Sequence, residues 1–369
     1  MTQAASFIEP KTGETYALDA PLWRAPNGNP LMVSDLPGIT RTEIDAGKRS
    51  IWRYAGALPL TIDEPITLGE GCTPLIAPDI DGLKLHLKLE WFAPSGSFKD
   101  RGASVLMSFL KAQGVSAVVE DSSGNGGAAI AAYGAASGMA VTILVPAYTQ
   151  PAKIIQSRAY GAEVVLVPGA REDTEAAAIE MAEDVFYASH NWHPMFLQGT
   201  KTLGYELWED LGFEVPDNIV IPVGAGSNLL GCYMAFSELM RAGETDRMPR
   251  LYASQPENCS PLHHALQGTP QESFAPTVAE GTAIKAPIRL DIMTRAIRET
   301  GGGSVALSED EIVAAAKRLA NAGIFTEPSC AHAWGGAKKL IESGDIAASD
   351  RTVVVLTGTG LKAQSVFSD

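Results

Sequence analysis

The sequence has no long apolar run and little cysteine, and it is short of positive charge. No stretch of its 369 residues approaches the roughly 20 consecutive apolar residues that a membrane helix needs. Its first residues, MTQAASFIEP, lack the basic start and apolar stretch of a secretory signal. These absences predict a protein that does not bind a membrane and that stays in the cytoplasm.

Basic residues are outnumbered by acidic ones, 28 to 43, which gives a net charge of −15. Nucleic acids and anionic membranes favour basic patches, so neither is an expected partner. With 46% hydrophobic and 19% charged residues, the composition is otherwise ordinary for a globular protein. The expected partner is a small molecule, since a local site can be positive inside a negative protein.

The four cysteines lie far apart and form no CxxC pair. Disulfides are not expected in a reducing compartment, and a zinc site would need a cluster of ligands. Only six histidines are present, and the adjacent pair His263 and His264 has no partnering cluster in the sequence. We therefore predict no metal site.

From about residue 83, apolar strands alternate with helices. The predicted strands cover 83–90, 117–121, 140–146, 162–168, 218–224, 251–256 and 351–358. The predicted helices cover 97–114, 124–138, 150–161, 172–185, 228–241 and 308–321, the last opened by the capping box SEDE. Such alternation predicts an α/β fold with parallel sheets covered on both faces. Ligands bind beyond the carboxyl ends of such strands, so the loops after 121, 190, 224 and 356 are expected to line one cleft.

The segment SGSFKDRG (95–102) places a lysine, Lys99, at the start of a helix after a glycine turn. A lysine that forms a Schiff base must spend time as a neutral amine, and a helix N-terminus disfavours the ammonium form. The alternative is a surface lysine in a helix cap, which the spacing by itself leaves open.

Three further glycine-containing turns follow predicted strands. PVGAGSNLLG (222–231) can direct backbone N–H groups toward a phosphate, although a dinucleotide fingerprint or a mere turn competes. The fingerprint is weakened by Leu229, which stands where its third glycine should be. DSSGNGGAAIAAYG (121–134) offers N–H groups to an anion such as a carboxylate, or is an ordinary capped helix. VLTGTGLK (355–362) by itself reads as a plain turn.

Together these motifs resemble the fold-type-II pyridoxal-phosphate (PLP) enzymes of the tryptophan synthase β-like superfamily. EGTAIKAP (280–287) and GIFTEPSCA (323–331) complete the order of motifs seen in that superfamily. LGEGCTPL (68–75) and IWRYAGALP (51–59) make threonine synthase the most similar family within it. The resemblance implies two open, mostly parallel twisted sheets with helices on both faces, and a cofactor in the cleft between them.

The resemblance also implies roles for individual residues. Lys99 would hold PLP as a Schiff base and then remove the substrate α-proton. Phe98 would pack against the cofactor ring, Asn125 would bind the ring hydroxyl, and the Thr357 hydroxyl would face a neutral pyridine nitrogen, which suits elimination or replacement. The cofactor phosphate would be held by Gly224, Ala225, Gly226, Ser227 and Asn228. The substrate carboxylate would be held by Ser122, Ser123, Gly124 and Gly126.

The chain departs from threonine synthases at the substrate side. Those enzymes usually carry Asn-Ser-x-Asn-Pro-x-Arg, whose Arg helps to bind the phosphate of phosphohomoserine. Here HNWHPMF (190–196) puts Phe196 at the Arg position, which removes a bidentate charge-assisted pair. Gly126 likewise replaces a threonine. Both changes indicate an unphosphorylated substrate, unless a shifted cation such as Lys153, Arg158 or Lys201 compensates.

The resemblance predicts three regions. Residues 1–60 form an N-terminal extension, a degenerate ribbon-like cap without metal, because its outline lacks the four cysteines of many relatives. Residues 61–110 and 195–369 form a large PLP-binding domain, and residues 111–194 a small substrate-facing domain. Relatives are often dimers, so a homodimer is compatible with the sequence.

The predicted function is that of a threonine-synthase-like PLP enzyme that catalyses elimination or replacement at the β or γ carbon of an amino acid. We expect a lyase acting on an unphosphorylated hydroxy or β-substituted amino acid, giving a keto acid and ammonia. The alternative is true threonine synthase, which converts O-phosphohomoserine to threonine and phosphate. A silent amino-acid-binding protein and an NAD-dependent dehydrogenase are competing classes. The intact Lys99, Asn125 and Thr357 argue against the first, and the absorbance of the cofactor would decide the second.

Overall fold

The computed structural model describes residues 5–367, apart from the side chain at position 365. These residues form fifteen strands: β1 Ser6–Ile8, β2 Thr15–Ala17, β3 Met32–Val33, β4 Leu75–Ile76, β5 Asp79–Ile80, β6 Leu83–Lys84, β7 His86–Leu89, β8 Ala117–Glu120, β9 Ala140–Pro146, β10 Glu163–Val167, β11 Phe186–Tyr187, β12 Asn218–Pro222, β13 Arg250–Pro256, β14 Gly303–Leu307 and β15 Thr352–Leu356. They also form ten α-helices: α1 Lys99–Ala112, α2 Asn125–Ser137, α3 Pro151–Ala159, α4 Arg171–Met181, α5 Pro194–Asp210, α6 Ser227–Arg241, α7 Pro261–Leu266, α8 Leu290–Glu299, α9 Glu309–Asn321 and α10 Pro328–Glu342. None of the described helices is long and apolar enough to span a membrane.

The chain forms two compact units. The first comprises the chain up to Glu70, Ala93–Ser95 and Lys99–Thr202. It contains a parallel sheet of order β10-β9-β8-β11 and an antiparallel N-terminal sheet of order β2-β1-β3. Its core joins both parts, because Phe7 of β1 packs in one buried cluster with residues of α1 and α2. The N-terminal segment is therefore an integral part of this unit.

The second unit comprises Gly71–Phe92, Gly96–Phe98 and the chain from Leu203 onward. Its six-stranded sheet has the order β14-β13-β12-β15-β7-β4, and all neighbouring pairs are parallel except β4 with β7. The central strands β12 and β15 are buried along their whole length, as expected for a parallel sheet. The α/β class predicted from the sequence is confirmed.

The units divide the chain at other positions than the predicted 60, 110 and 194. Helix α1 and the segment before Glu70 both belong to the first unit because two serines of α1 hold that segment. Ser108 accepts the Ile66 N–H at 2.8 Å, and Ser104 donates to Glu70 Oε1 at 2.7 Å. Side-chain bonds between distant segments thus decide a boundary that local composition does not reveal.

Helix and strand positions were predicted well where the sequence carries a strong local signal, such as a capping box. Ser308 and Glu311 form the predicted capping box, with the Ser308 N–H 2.8 Å from a Glu311 carboxylate oxygen. The predicted helix 97–114 begins at Lys99, and the predicted strand 83–90 is two short strands separated at Leu85. The elements that had not been predicted include β14, α5, α8 and α10. Gly301 and Gly302 directly precede β14, which begins at Gly303.

The sheets bring the predicted loops together in pairs. Strands β8 and β11 are parallel neighbours, so the loops after 121 and 190 leave the same edge of the first unit's sheet. Strands β12 and β15 are parallel neighbours in the second unit, which groups the loops after 224 and 356. A single cleft lined by all four loops stays a prediction.

Candidate active site

Lys99 is the first residue of α1, and a buried carboxylate fixes the turn before it. Asp100 is fully buried and accepts hydrogen bonds from the Ser95 N–H at 2.7 Å and from the Ser95 hydroxyl. The Gln156 side chain donates to the Ser95 carbonyl at 2.9 Å. The half-buried Lys99 side chain therefore extends from a well-anchored turn.

Phe196, which the sequence resemblance places at an arginine position, lies beside Lys99. Its ring is fully buried, and its centroid is 5.6 Å from Lys99 Nζ, which is a cation–π distance. The ring also covers Gly102 in the first turn of α1, where an added Cβ would lie 2.5 Å from three ring atoms. A side chain at position 102 would therefore exclude the ring from this place.

The turn between β8 and α2 carries five predicted site residues: Ser122, Ser123, Gly124, Asn125 and Gly126. Gly126 is buried beneath the ring of His190, and a Cβ there would lie 2.6 Å from both Cε1 and Nδ1 of that ring. The threonine of relatives would not fit below this histidine. The first N–H groups of a helix lack acceptors within it, so the N-terminus of α2 is suited to an anion.

Two buried carboxyl groups precede that turn. Glu120 Oε1 contacts His190 Nδ1, and Oε2 accepts the His190 backbone N–H at 3.2 Å. Asp121 accepts the Tyr187 hydroxyl at 2.6 Å. Burial raises the pKa of Glu120 to about 8 and that of Asp121 to about 7, and burial also lowers the pKa of His190 well below its ordinary value. The charge of Lys99 acts on both Glu120 and His190.

In the second unit, residues 224–228 form a glycine loop at the N-terminus of α6. Gly226 has a φ of +86°, and a Cβ there would lie 1.9 Å from Met293 Sδ. Gly224 approaches Thr282, with 3.0 Å between its would-be Cβ and the Thr282 Cα. Asn228 is 3% exposed, and neither of its amide atoms has a hydrogen-bond partner among the described residues.

Thr357 follows β15 and meets the residues that lead into α1. The Phe98 N–H donates to the Thr357 carbonyl at 3.0 Å, and Ser97 forms an isolated bridge with Gly358. Gly358 is held tightly, since a Cβ there would lie 2.2 Å from Glu327 Oε1. The chain order and these bonds bring two predicted site residues, Phe98 and Thr357, into contact.

Of the three cations proposed as substitutes for the lost arginine, one is buried and already bonded and two are exposed. Lys201 is buried and donates to the Ala57 carbonyl at 2.7 Å and to Gln198 Oε1 at 2.6 Å. Lys153 and Arg158 lie exposed on α3. A cation that had not been considered, Arg171 at the start of α4, acts electrostatically on Glu120, Asp121 and His190.

Comparison with known proteins identifies the family. Residues 66–358 match the model of the pyridoxal-phosphate dependent enzyme family. The chain belongs to this family. Threonine synthase of Methanosarcina acetivorans is 36% identical to this PLP enzyme over 333 residues, which cover 87% of this chain and 82% of that protein. Threonine synthase of Methanocaldococcus jannaschii is 33% identical over 374 residues, covering 95% and 91%.

A solved structure agrees with the sequence relatives. The processed form of threonine deaminase isoform 2 from Solanum lycopersicum has a TM-score of 0.69 and is 25% identical, covering 80% of this chain and 82% of that one. The predicted cofactor, PLP, and the threonine-synthase-like character of this PLP enzyme are confirmed at the level of the family.

The residues present fit a PLP phosphate. Asn228 carries a buried amide whose donor and acceptor are unused among residues 5–367, at a helix N-terminus that favours an anion. There is no room for a side chain at Gly224 or Gly226, so the loop at these two positions consists of backbone alone. Sequence reasoning missed Glu120, although two adjacent acids ending an apolar strand are an unusual signal.

Proposed function

We propose that this PLP enzyme is a lyase that eliminates the β-substituent of an unphosphorylated hydroxy amino acid. The observation that carries the proposal is the packing of Phe196 beside Lys99, where an arginine would serve a substrate phosphate. A buried aromatic ring gives an apolar substrate contact and no charge for a phosphate dianion. Amino acids without a phosphate, such as serine and threonine, are the substrates that suit a site lined by this ring.

Lys99 would hold the cofactor covalently through Nζ and take the substrate α-proton with the same nitrogen. Phe98 would lie against the cofactor ring, and Asn125 and Thr357 would bind its hydroxyl and its ring nitrogen. The loop 224–228 would bind its phosphate through backbone N–H groups and the Asn228 amide. When bound, PLP withdraws electrons from the substrate α-carbon and so acidifies its proton.

The N-terminus of α2 would bind the substrate carboxylate. Ser122, Ser123, Gly124 and Gly126 surround this helix end, and the first-turn N–H groups and the dipole both favour an anion there. Glu120 and Asp121 lie directly before the turn and bring two acids next to it.

The alternative is true threonine synthase, the name that the two reported relatives at 33–36% identity carry. Arg171, which acts electrostatically on Glu120, Asp121 and His190, would then be a candidate to meet a substrate phosphate. The two proposals differ in one product, because only the alternative releases inorganic phosphate from O-phosphohomoserine.

The experiment incubates the holoenzyme with O-phosphohomoserine, serine and threonine in parallel, and measures phosphate, ammonia and keto acid. We expect ammonia and keto acid from serine or threonine and no phosphate. Phosphate release with no reaction of the hydroxy amino acids would establish the alternative instead. Lys99→Ala should also remove the visible absorption of the covalently held cofactor, whereas Lys153→Ala, on exposed α3, should retain it.

The remaining expectations belong to the same proposal. The division into a large PLP-binding domain and a small substrate-facing domain stays a prediction. The cytoplasmic location and the homodimer stay predictions. Size-exclusion chromatography with light scattering tests the homodimer directly.

A further inference from the structure

Glu120 and His190 form a buried acid–imidazole pair in the first unit. Glu120 is fully buried and His190 is 7% exposed. One carboxylate oxygen contacts Nδ1 and the other accepts the His190 backbone N–H at 3.2 Å, so both the ring and its backbone are held. The residues are 70 positions apart, and only the pairing of β8 with β11 brings them together.

The pair lies at the proposed substrate position. The His190 ring covers Gly126 at the N-terminus of α2, where the substrate carboxylate would bind. Its centroid is 5.8 Å from that of Phe196, and Phe196 is 5.6 Å from Lys99 Nζ. Phe196 therefore lies close to both His190 and the lysine that would take the α-proton.

The protons on the pair can be counted. Nδ1 faces Glu120, which leaves Nε2 as the ring nitrogen that does not contact this carboxyl group. Burial disfavours net charge on the pair as a whole. A neutral pair holds two protons: one shared between Glu120 and Nδ1, and one on Nε2. Wherever the shared proton lies, Nε2 is then a proton donor.

We propose that His190, oriented by Glu120, donates the Nε2 proton to the leaving hydroxyl of a β-hydroxy amino acid. This inference rests on the proposed lyase function and adds the chemistry of the leaving group. Hydroxide is a poor leaving group, so a positioned proton donor accelerates its departure. An acid–histidine pair elsewhere in proteins performs the same proton transfer to a leaving group.

The elimination balances in atoms and charge. Lys99 Nζ takes the α-proton, and the electrons of the Cα–H bond form the Cα–Cβ double bond. The Cβ–O bond breaks with its electron pair on oxygen, which takes the Nε2 proton and leaves as water. The shared proton stays on Nδ1 and Glu120 becomes a carboxylate. The negative charge on Glu120 balances the positive charge gained by Lys99. The unsaturated amino acid then reacts with water to give a keto acid and ammonia.

The pH dependence follows from the groups around the pair. Lys99 of α1 and Arg171 at the start of α4 face it with positive charge, and Asp121 at the end of β8 faces it with a carboxyl group. Burial holds the pKa of Glu120 near 8, so the pair loses its second proton above that pH. The elimination of a hydroxyl should therefore be fast below about pH 8 and decline above it.

The test compares two leaving groups on the holoenzyme. Serine must lose hydroxide, whereas β-chloroalanine loses chloride and needs no proton. In His190→Gln and Glu120→Gln we expect kcat/KM for serine to fall about 10²–10⁴-fold more than kcat/KM for β-chloroalanine. The matched control is Asp121→Asn, which alters the neighbouring carboxyl and should leave that selectivity ratio within a factor of about 3.

A second readout is independent of turnover. ¹⁵N NMR of histidine-labelled holoenzyme, assigned by loss of one signal in His190→Gln, should show Nε2 protonated at pH 7 and deprotonating above about pH 8. A bare Nε2 at pH 7, or equal losses for both substrates, overturns the inference while serine turnover persists in the wild type. Phosphate release from O-phosphohomoserine with inert serine rejects the proposed function, and the inference with it.

Discussion

The ring of Phe196 occupies the space that a side chain at Gly102 would need. A Cβ at position 102 would lie 2.5 Å from Cδ1, Cε1 and Cζ of the ring, and both residues are buried beside Lys99. In most helix interiors alanine is more stable than glycine by about 1 kcal/mol. Here packing favours glycine over alanine, because the Phe196 ring could make room for a Cβ only by shifting the residues packed beside Lys99.

The first prediction concerns this contact. Gly102→Ala should lower the free energy of unfolding by about 1–3 kcal/mol through overpacking. Urea denaturation measures the change. Leucine is smaller than phenylalanine and leaves room for a side chain at position 102. The double variant Gly102→Ala/Phe196→Leu should therefore lose less unfolding free energy than the sum of the losses in the two single variants. Strict additivity in that double-mutant cycle would contradict the contact.

The second prediction concerns Asn228, whose buried amide has no partner among residues 5–367. Asn228→Leu should weaken PLP binding by about 10-fold to 100-fold, the value of a hydrogen bond to a charged group. It should leave the cofactor-free protein equally or more stable, because an unsatisfied buried amide is removed. Fluorescence titration with PLP and thermal unfolding give the two numbers, and unchanged PLP affinity would argue against a phosphate at this loop.

The third prediction concerns stability at low pH. His332 is fully buried, with Nδ1 2.9 Å from the Ser254 hydroxyl and Nε2 3.2 Å from that of Thr282. Burial lowers its pKa to about 3, against an ordinary value of 6.5. The unfolded state therefore binds the extra proton first, and the stability that the neutral ring contributes is full above about pH 6.5 and is lost as the pH falls toward 3.

Urea denaturation between pH 4 and 7.5 measures that loss, which has a limiting slope of about 1.4 kcal/mol per pH unit. The variant His332→Gln keeps a buried hydrogen-bonding side chain that does not titrate. It should be less stable at pH 7.5 and should show a shallower decline on acidification. Identical slopes in both proteins would mean that His332 is already charged in the folded state.

The fourth prediction concerns a buried charge cluster in the second unit. Lys88 Nζ is 2.7 Å from Glu206 Oε1 and 2.6 Å from Asp210 Oδ2, and Glu206 also accepts the backbone N–H groups of Cys72 and Thr73 at 2.9 Å. The GCTPL motif thus closes over a buried carboxylate. Lys88→Met should cost about 3–5 kcal/mol, because the buried Glu206 carboxylate loses the ammonium group that balances its charge.

The matched double variant Lys88→Met/Glu206→Gln should lose less unfolding free energy than Lys88→Met alone. It removes the buried carboxylate charge of Glu206 and keeps an amide oxygen that can accept the N–H groups of Cys72 and Thr73. Chemical denaturation of the three proteins decides this. An equal or larger loss in the double variant would mean that the interaction of Lys88 with Asp210 and the Thr73 carbonyl dominates.

The sequence by itself determined the features that local chemistry specifies. Alternating apolar strands and helices predict a parallel sheet, Ser308 and Glu311 predict a helix start, and glycine turns after strands predict the positions of the anion-binding loops. Each of these depends on residues a few positions apart, whose hydrogen bonds and backbone angles are set within one turn or one strand. The motifs also sufficed to identify the family and its cofactor.

Only the tertiary structure decided which distant residues meet. Glu120 and His190, or Gly102 and Phe196, come together through sheet pairing and helix packing across about 70 and 94 positions respectively. In the same way, Lys201 donates hydrogen bonds to the Ala57 carbonyl and the Gln198 side chain, which the sequence did not reveal. A local pattern cannot encode these contacts, because burial, and with it the pKa of a carboxyl group such as Glu120, depends on every segment that covers it.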